Sequence, residues 1–448
     1  MATPLPELTD ALLSAARKAG ADAADAMAVR GISQDVQVRG AALEGASRAD
    51  AVEIGLRVLI GQRQACVSAS DTRDATIAEM ADRAVAMARL APEDPHIGLA
   101  DPDQLSAQRD ASTLDLADDS GEPDPATLED DALRAEAAAL GVEGIERVMS
   151  ASSGFTRNEI HLAATNGFAG GYARTGHGCS VVALTGTGTG MERDYFFDQR
   201  THRADLMPPE EIGRIAALRT IERRGARKPK TGAFPVLYDE RVASGLIGHL
   251  VQAANGQMIA RGSSWLSDRL GEAVLPEGID LIETPDRPRV SSSKPFDAEG
   301  LPTARRAIVE DGVLQGWTLD LATARKLGLA STGNATRGTS SPPSPGVTGL
   351  TMTQGIQSRD QLLAEMGTGL LVTSLIGSSI NATTGDYSRG ASGFWVENGE
   401  IAWAVNECTI AGNLRDMLRS IRPANDARPH LSRVVPSLLV EGLTVAGE

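Results

Sequence analysis

The chain is predicted to be α+β: an N-terminal α/β region of mixed sheet and helices, followed by a β-rich C-terminal domain with a few helices. Three observations predict this. Apolar residues recur at helical spacing in only a few segments, such as Leu5, Leu8, Leu12, Leu13 and Ala16. Elsewhere, most densely in the second half, short alternating runs are separated by Gly-containing turns. The chain has 448 residues, long for one core, so two or three domains are expected.

Taken in order, residues 5–19 read as a helix that Gly20 ends. Extended runs follow at 24–30 and 33–39, then a hairpin of 51–60 with 62–69 pivoting on Gly61. A second helix covers 74–90, with Ile77, Met80, Ala81, Ala84, Met87 and Ala88 on one face. This is the first unit, 1–100. Residues 101–131 hold eleven acids against one base, Arg109, so that stretch accounts for −10 of the chain's net −16. Its first part, 101–125, reads as a solvated acidic linker, with a docking strip for a basic partner as the alternative. A central α/β region, 126–225, starts with a helix at 126–140. It continues with about four strands between 145 and 198, a turn at Asn166-Gly167 and a helix at 208–224. The run Thr185–Gly190 superficially suggests a phosphate loop, but no helical pattern follows it, so a glycine-loosened hairpin is expected.

The C-terminal domain, 231–448, begins with a strand at Phe234–Tyr238 and a helix at Val242–Asn255. A hairpin turns on Asp311-Gly312. Ser331–Gly349, rich in Pro, Ser, Gly and Thr, reads as a long surface loop. A helix at 358–367, a strand at 369–376 and a hairpin at 392–405 on Asn398-Gly399 complete the pass.

Composition excludes several classes. The acidic balance argues against a nucleic-acid ligand. No run of apolar residues is long enough for a membrane span, and no signal-peptide pattern is visible. Cys66, Cys179 and Cys408 are odd in number and far apart, which argues for a reducing compartment, by default the cytoplasm. The six histidines have no second His or Glu at a helical ligand spacing, so no H-E-x-x-H-type site is present. His249 reads as a packed or surface residue, and Cys408 as a buried small one.

The densest signal is Thr384-Gly385-Asp386-Tyr387-Ser388-Arg389-Gly390-Ala391-Ser392-Gly393-Phe394-Trp395-Val396-Glu397-Asn398-Gly399-Glu400. It reads as a polar, Gly-rich recognition loop running into an apolar strand and a tight turn. Its glycines allow close backbone approach. Asp386 and Arg389 are near enough in sequence to brace the loop as an ion pair or to bind a peptide. Ser388 and Ser392 read as backbone hydrogen-bonders, with a nucleophilic role as the alternative.

This stretch resembles the C-terminal signature of the TldE (PmbA) branch of the TldD/TldE metalloprotease family. Ala260–Ser264, Pro295–Gly300, Ala324–Leu329, Glu365–Leu370 and Thr409–Leu414 resemble it too, in the same order. The resemblance implies a division of labour, with the H-E-x-x-x-H zinc helix in the TldD-like subunit. Aligned on Gly262-Ser263-Ser264, this chain has Ile247, Gly248 and Gln252 where that motif stands. No Cys follows Cys408 to match the other TldD ligand. The resemblance therefore implies no metal and no catalytic residue in this chain, and zinc in a TldD-like partner.

It further implies a heterodimeric peptidase acting on unfolded peptides, modified-peptide precursors and small antitoxin-like proteins. In it Gly385, Asp386, Tyr387, Ser388, Arg389, Gly390, Ser392 and Gly393 would contact the extended peptide or the partner. Two other readings stay open: a homodimeric peptide-binding scaffold without peptidase activity, and an independent hydrolase using Ser388 or Ser392.

Overall fold

The leucine stripe near the N-terminus forms α1 (Leu5–Ala19), and Gly20, at φ 92°, returns its N–H to the carbonyls of the last turn. The computed structural model describes residues 3–447. Next come β1 (Ala23–Arg39), β2 (Ala42–Ile60), β3 (Arg63–Ala69) and α2 (Asp74–Leu90), then α3 (Pro125–Leu140). The strands β4 (Arg147–Ala164), β5 (Ala169–Thr185) and β6 (Glu192–Arg200) and the helix α4 (Pro209–Glu222) follow. The six strands form one antiparallel sheet in the order β3-β2-β1-β4-β5-β6. All four helices cover the same face. Helices α1 and α2 pack Leu8, Leu12, Ile77 and Ala84 on Ala26, Ala28, Ile54 and Leu56. Helices α3 and α4 pack Ala132, Ala135, Ile212 and Ala216 on Ala151, Val181 and Phe196.

The second half contains β7 (Gly232–Tyr238), α5 (Glu240–Ala253), α6 (Gly256–Ala260), β8 (Leu281–Glu283), β9 (Arg306–Glu310), β10 (Val313–Leu314) and α7 (Leu321–Leu327). It continues through β11 (Ala335–Thr336), β12 (Ser344–Pro345), β13 (Leu350–Met352), α8 (Arg359–Met366), β14 (Gly369–Ile380), β15 (Asp386–Glu397) and β16 (Glu400–Asn413). Helix α9 (Leu414–Arg419), β17 (Arg422–Pro423), β18 (Arg433–Val434) and β19 (Leu438–Ala446) complete it. Strands run β16-β15-β14-β7-β19, and Thr409–Ala411 of β16 pairs again with Thr444–Ala446 of β19, so the sheet closes on itself. Helix α5 packs Leu246, Ile247 and Leu250 into the core with Tyr238, Trp395 and Ile410. The fold is thus an N-terminal α/β region and a β-rich C-terminal domain.

Several expectations change. The runs at 24–30 and 33–39 are one strand, because Gly31 keeps extended geometry inside β1. Strand β2 begins at Ala42, and Gly40 and Ala41 make an unforeseen hairpin turn at positive φ. Three long strands, not four, lie between 147 and 200. Met87 faces out, and Val85 takes the inward place on α2. The acidic stretch is not a free solvated strap. Leu114 and Leu116 are buried, and the Leu116 carbonyl accepts from the Thr175 N–H. Its acids meet this chain's own bases: Asp115 pairs with Arg289 (2.6 Å) and Glu122 with Arg48 (2.7 Å). Nor is Ser331–Gly349 a surface loop throughout. It reaches the N-terminal sheet, where Arg337 pairs with Asp25 and the Thr339 hydroxyl donates to Glu53 (2.5 Å). The Thr339 backbone lies so close to Gly55 that a Cβ there would collide with it.

Candidate functional site

Strand alternation gives the N-terminal sheet two unlike faces. One is the helix-covered core. The other follows from the register. On β5 the residues Arg174, Gly176, Gly178, Ser180 and Val182 lie opposite Asn158, Thr156, Gly154, Ser152 and Ser150 of β4. Ser33, Asp35 and Gln37 of β1 continue that row on one side, and Gln199, Phe197 and Tyr195 of β6 on the other. None of the four helices covers this face. It is mostly small, polar and Gly-rich, and this row's aromatic side chains are the stacked pair Tyr195 and Phe197, with centroids 6.2 Å apart. Both rings are exposed, whereas Asp194, Phe196 and Asp198 between and beside them are buried.

Three cavities follow one another along this face. A volume of about 1110 Å³ lies at the Val182–Leu184 end, about 350 Å³ in the middle, and about 470 Å³ at the Arg174 end. The last two share Thr156, Gly176 and Phe197. Ten residue steps of β5 span about 33 Å. The face is therefore a trough as long as an extended peptide of about ten residues.

The C-terminal domain walls the widest cavity with Ser374, Leu375, Ile376 and Ser392. Ile376 of β14 is 70% exposed there. Ser392 is held by Arg223, whose Nη2 donates to its Oγ at 3.1 Å. Behind Arg223 runs a chain of charges: Asp194 at 3.7 Å, then Arg241 at 3.5 Å from Asp194, then Asp239 at 2.9 Å from Arg241. Burial would raise the Asp239 carboxyl, but Arg241 outweighs it and holds it below the usual carboxylate range. This network fixes the junction of the two regions under the trough's wide end.

Of the eight residues expected to contact peptide or partner, only Ser392 lines this cavity. The expected recognition loop is strand β15, hydrogen-bonded to β14 and β16 on both edges. Glycines suit it because neighbouring backbone crosses it closely. A Cβ on Gly393 would collide with the Leu371 carbonyl, and one on Gly390 would lie 3.3 Å from that of Ile376. Gly385, at φ 85°, turns the chain into the strand beside Trp265. Asp386 and Arg389 form no ion pair with each other. Asp386 accepts from Thr384 Oγ1 (2.6 Å) and Asn413 Nδ2 (3.1 Å), and Arg389 Nε donates to the Gly377 carbonyl (2.7 Å). Ser388 pairs in the ladder opposite Ser379 and Ala411. Tyr387 is buried, its ring 5.8 Å from that of His249, and burial pushes its hydroxyl up. Among the described residues, neither Ser388 nor Ser392 has a histidine hydrogen-bonded to it.

The metal-motif positions do not suit zinc. Ile247 is fully buried in the core, Gln252 is exposed on another side of α5, and a Cβ on Gly248 would meet Arg433 Nη1 at 3.1 Å. Among the described residues no group of three or more His, Cys, Asp or Glu could hold a metal ion. Also among them, no helix is long and apolar enough to cross a membrane.

Sequence reasoning missed Arg174, Arg223, Arg433 and the Tyr195–Phe197 pair. Only the pair had a signal, in the alternation of Tyr195, Phe196 and Phe197 along a strand.

Comparison with known proteins places this architecture. Residues 24–88, 118–224 and 231–447 match domain 1, the central domain and the C-terminal domain of the PmbA/TldA metallopeptidases. Metalloprotease PmbA of Escherichia coli O157:H7 is 38% identical over 399 residues, covering 88% of this chain and 86% of its own. The metalloprotease PmbA homolog of Haemophilus influenzae is 35% identical over 437 residues, covering 96% and 94%. The crystal structure of TldE from Thermococcus kodakarensis shares the fold, with a TM-score of 0.85 at 20% identity over 98% of this chain and 100% of its own. With all three domains matched and two relatives above 30% identity over most of their length, the chain belongs to the PmbA/TldD metallopeptidase family.

Proposed function

We propose that this chain is the peptide-holding subunit of a two-chain peptidase, and that the zinc resides in a TldD-like partner. The observation that carries this reading is the open trough. It is long enough for an extended peptide, lined by small Gly and Ser positions, furnished with two exposed aromatic rings, and among the described residues holds no group of three or more metal-ligating side chains. Such a surface holds chains of varied sequence, since few large side chains impose a shape. Unfolded peptides, modified-peptide precursors and small antitoxin-like proteins in the cytoplasm are the substrates it suits. In this reading β15 braces the wall through Ser392 and Arg223, and its other polar residues position neighbouring backbone. The test is to purify the chain alone and with a TldD-like homologue, then measure zinc and cleavage of an unstructured peptide. Zinc and cleavage are expected only in the co-purified sample. Metal-dependent cleavage by this chain alone overturns the proposal.

One observation favours a second reading, a homodimeric binding scaffold. Strand β3 pairs with β2 only over Ile54–Ile60, which leaves the outer edge of Ala42–Glu53 without a strand partner among the described residues. An open edge of that length can accept a strand from another chain. Peptide binding without turnover in the presence of a TldD-like chain would favour it.

A further inference from the structure

The trough's two ends differ in chemistry. At the wide end Arg223 is matched by Glu192 and Asp194. At the other end, the cavity of about 470 Å³ is lined by Arg174, Arg200, Arg289, Arg428 and Arg433 together with His430. Three of these arginines have carboxylate partners: Arg200 with Asp198 (2.9 Å), Arg289 with Asp115 (2.6 Å) and Arg428 with Glu240 (2.9 Å). Two do not. Arg174 donates only to the carbonyls of Ser291 (2.6 Å) and Ser293 (3.4 Å), and its buried Nε has no partner. The Arg433 guanidinium is exposed and has no hydrogen-bond or ion-pair partner among the described residues. His430 adds a buried Nε2 that makes no hydrogen bond and lies 3.6 Å from Asp198 Oδ1. Burial, and then Arg200, holds its pKa below the ordinary value against the pull of Asp198. The hydroxyls of Ser291 and Ser432 meet at 3.3 Å on the same rim.

We infer that this end of the trough binds the C-terminal carboxylate of the extended peptide, with Arg174 and Arg433 as its charge partners. The inference rests on the reading of the trough as a peptide site. Two guanidiniums without carboxylate partners, beside the Ser291 and Ser432 hydroxyls in a confined cavity, make charge-assisted hydrogen bonds to a carboxylate that a neutral amide cannot reproduce. The trough then has a direction. The chain end is anchored at Arg174, and the peptide runs past Phe197 and Tyr195 towards Ser392.

The test uses the full chain and a fluorescent ten-residue Gly/Ser-rich peptide, made as the free acid and as the C-terminal amide, in fluorescence anisotropy at low salt. The acid is expected to bind about tenfold more tightly than the amide, in line with the strength of a charge-assisted hydrogen bond. Arg433→Gln, at an exposed position, should bring the ratio close to one, and Arg433→Lys should restore part of it. Equal binding of acid and amide by the unaltered chain overturns the inference and leaves the trough standing. Binding of neither form overturns the trough reading itself. Equal binding of the two forms, with inorganic phosphate alone showing saturable binding that Arg433→Gln removes, would make this a free-phosphate site and would also overturn it.

Discussion

At Gly393 the backbone of β14 passes so near that the Leu371 carbonyl occupies the space of a Cβ, whereas at Gly390, three residues earlier, a Cβ would lie in tight contact, 3.3 Å from the Ile376 carbonyl oxygen. The two glycines therefore carry different constraints within one ladder. Gly393→Ala must push β14 and β15 apart and should cost about 3 kcal/mol, the upper range for overpacking. Gly390→Ala, which needs a shift of only a few tenths of an ångström, should cost less, about 1 kcal/mol. Urea denaturation of the two variants checks this, and equal midpoints would show that the ladder yields at Gly393. Residue-scale reading of the sequence found these glycines and Ser392 but misjudged their setting. A run such as Gly385–Gly393 carries turn residues at loop density, and only the ladders on both sides make it a strand. Arg174 and Arg433 were not legible at all, because nothing local distinguishes an unmatched arginine from a matched one.

Elements show how a chain with only 3% aromatics packs its helices. Ala132, Ala135 and Ala139 of α3 meet Gly213, Ala216 and Ala217 of α4, and a Cβ on Gly213 would collide with the Ala135 carbonyl. Small residues bring the two backbones together, and dispersion over that close contact replaces bulky side chains. Gly213→Val should separate the helices and lower the melting temperature by several degrees. Scanning calorimetry reads the shift, and an unchanged transition would mean that the helices do not depend on this contact. Helices α1 to α4 were legible from apolar periodicity and their end signals, because each records its own burial pattern. The trough was not, since its lining comes from β1, β4, β5 and β6 at once. Which residues share a row depends on register over more than 150 positions, and no single segment encodes that.

Across the molecule, buried charge ties the two regions together. Arg57 donates to Asp25 at 2.7 Å inside the N-terminal sheet, and Arg337 reaches Asp25 from the C-terminal side. Burial opposes the Asp25 carboxylate, but the two arginines prevail and lower its pKa, so its contribution is present above about pH 3.8 and is lost in acid. Glu299 at the same seam behaves oppositely. Burial, and then the charge of Asp297, push its carboxyl up to about 8, and its Oε2 accepts from the Leu321 N–H at 2.9 Å. Its folded pKa lies above the ordinary 4.5, so its contribution is fully present below that value and disappears as pH rises towards 8. Stability should therefore fall by up to about 1.4 kcal/mol per pH unit from this group between pH 5 and 8. Glu299→Gln, which stays neutral, should flatten the profile. Urea midpoints at pH 6, 7 and 8 would test it, and parallel slopes in the two proteins would refute it. The resemblance in the C-terminal half made the family legible. It gave no hint that Ser331–Gly349 carries Arg337 across the seam, because a Gly- and Pro-rich composition is the same for an exposed loop and for one pressed onto a neighbour.

Strand β19 lies between β7 and β16 and closes the C-terminal sheet. It is also the last of those strands to be synthesised, more than 190 residues after β7. While the nascent chain is still on the ribosome, β7 and β16 must each wait with one bare edge. The C-terminal domain can therefore reach its closed form only once β19 has emerged from the exit tunnel. An interrupted or clipped chain lacking that strand would offer two open edges to any other extended polypeptide.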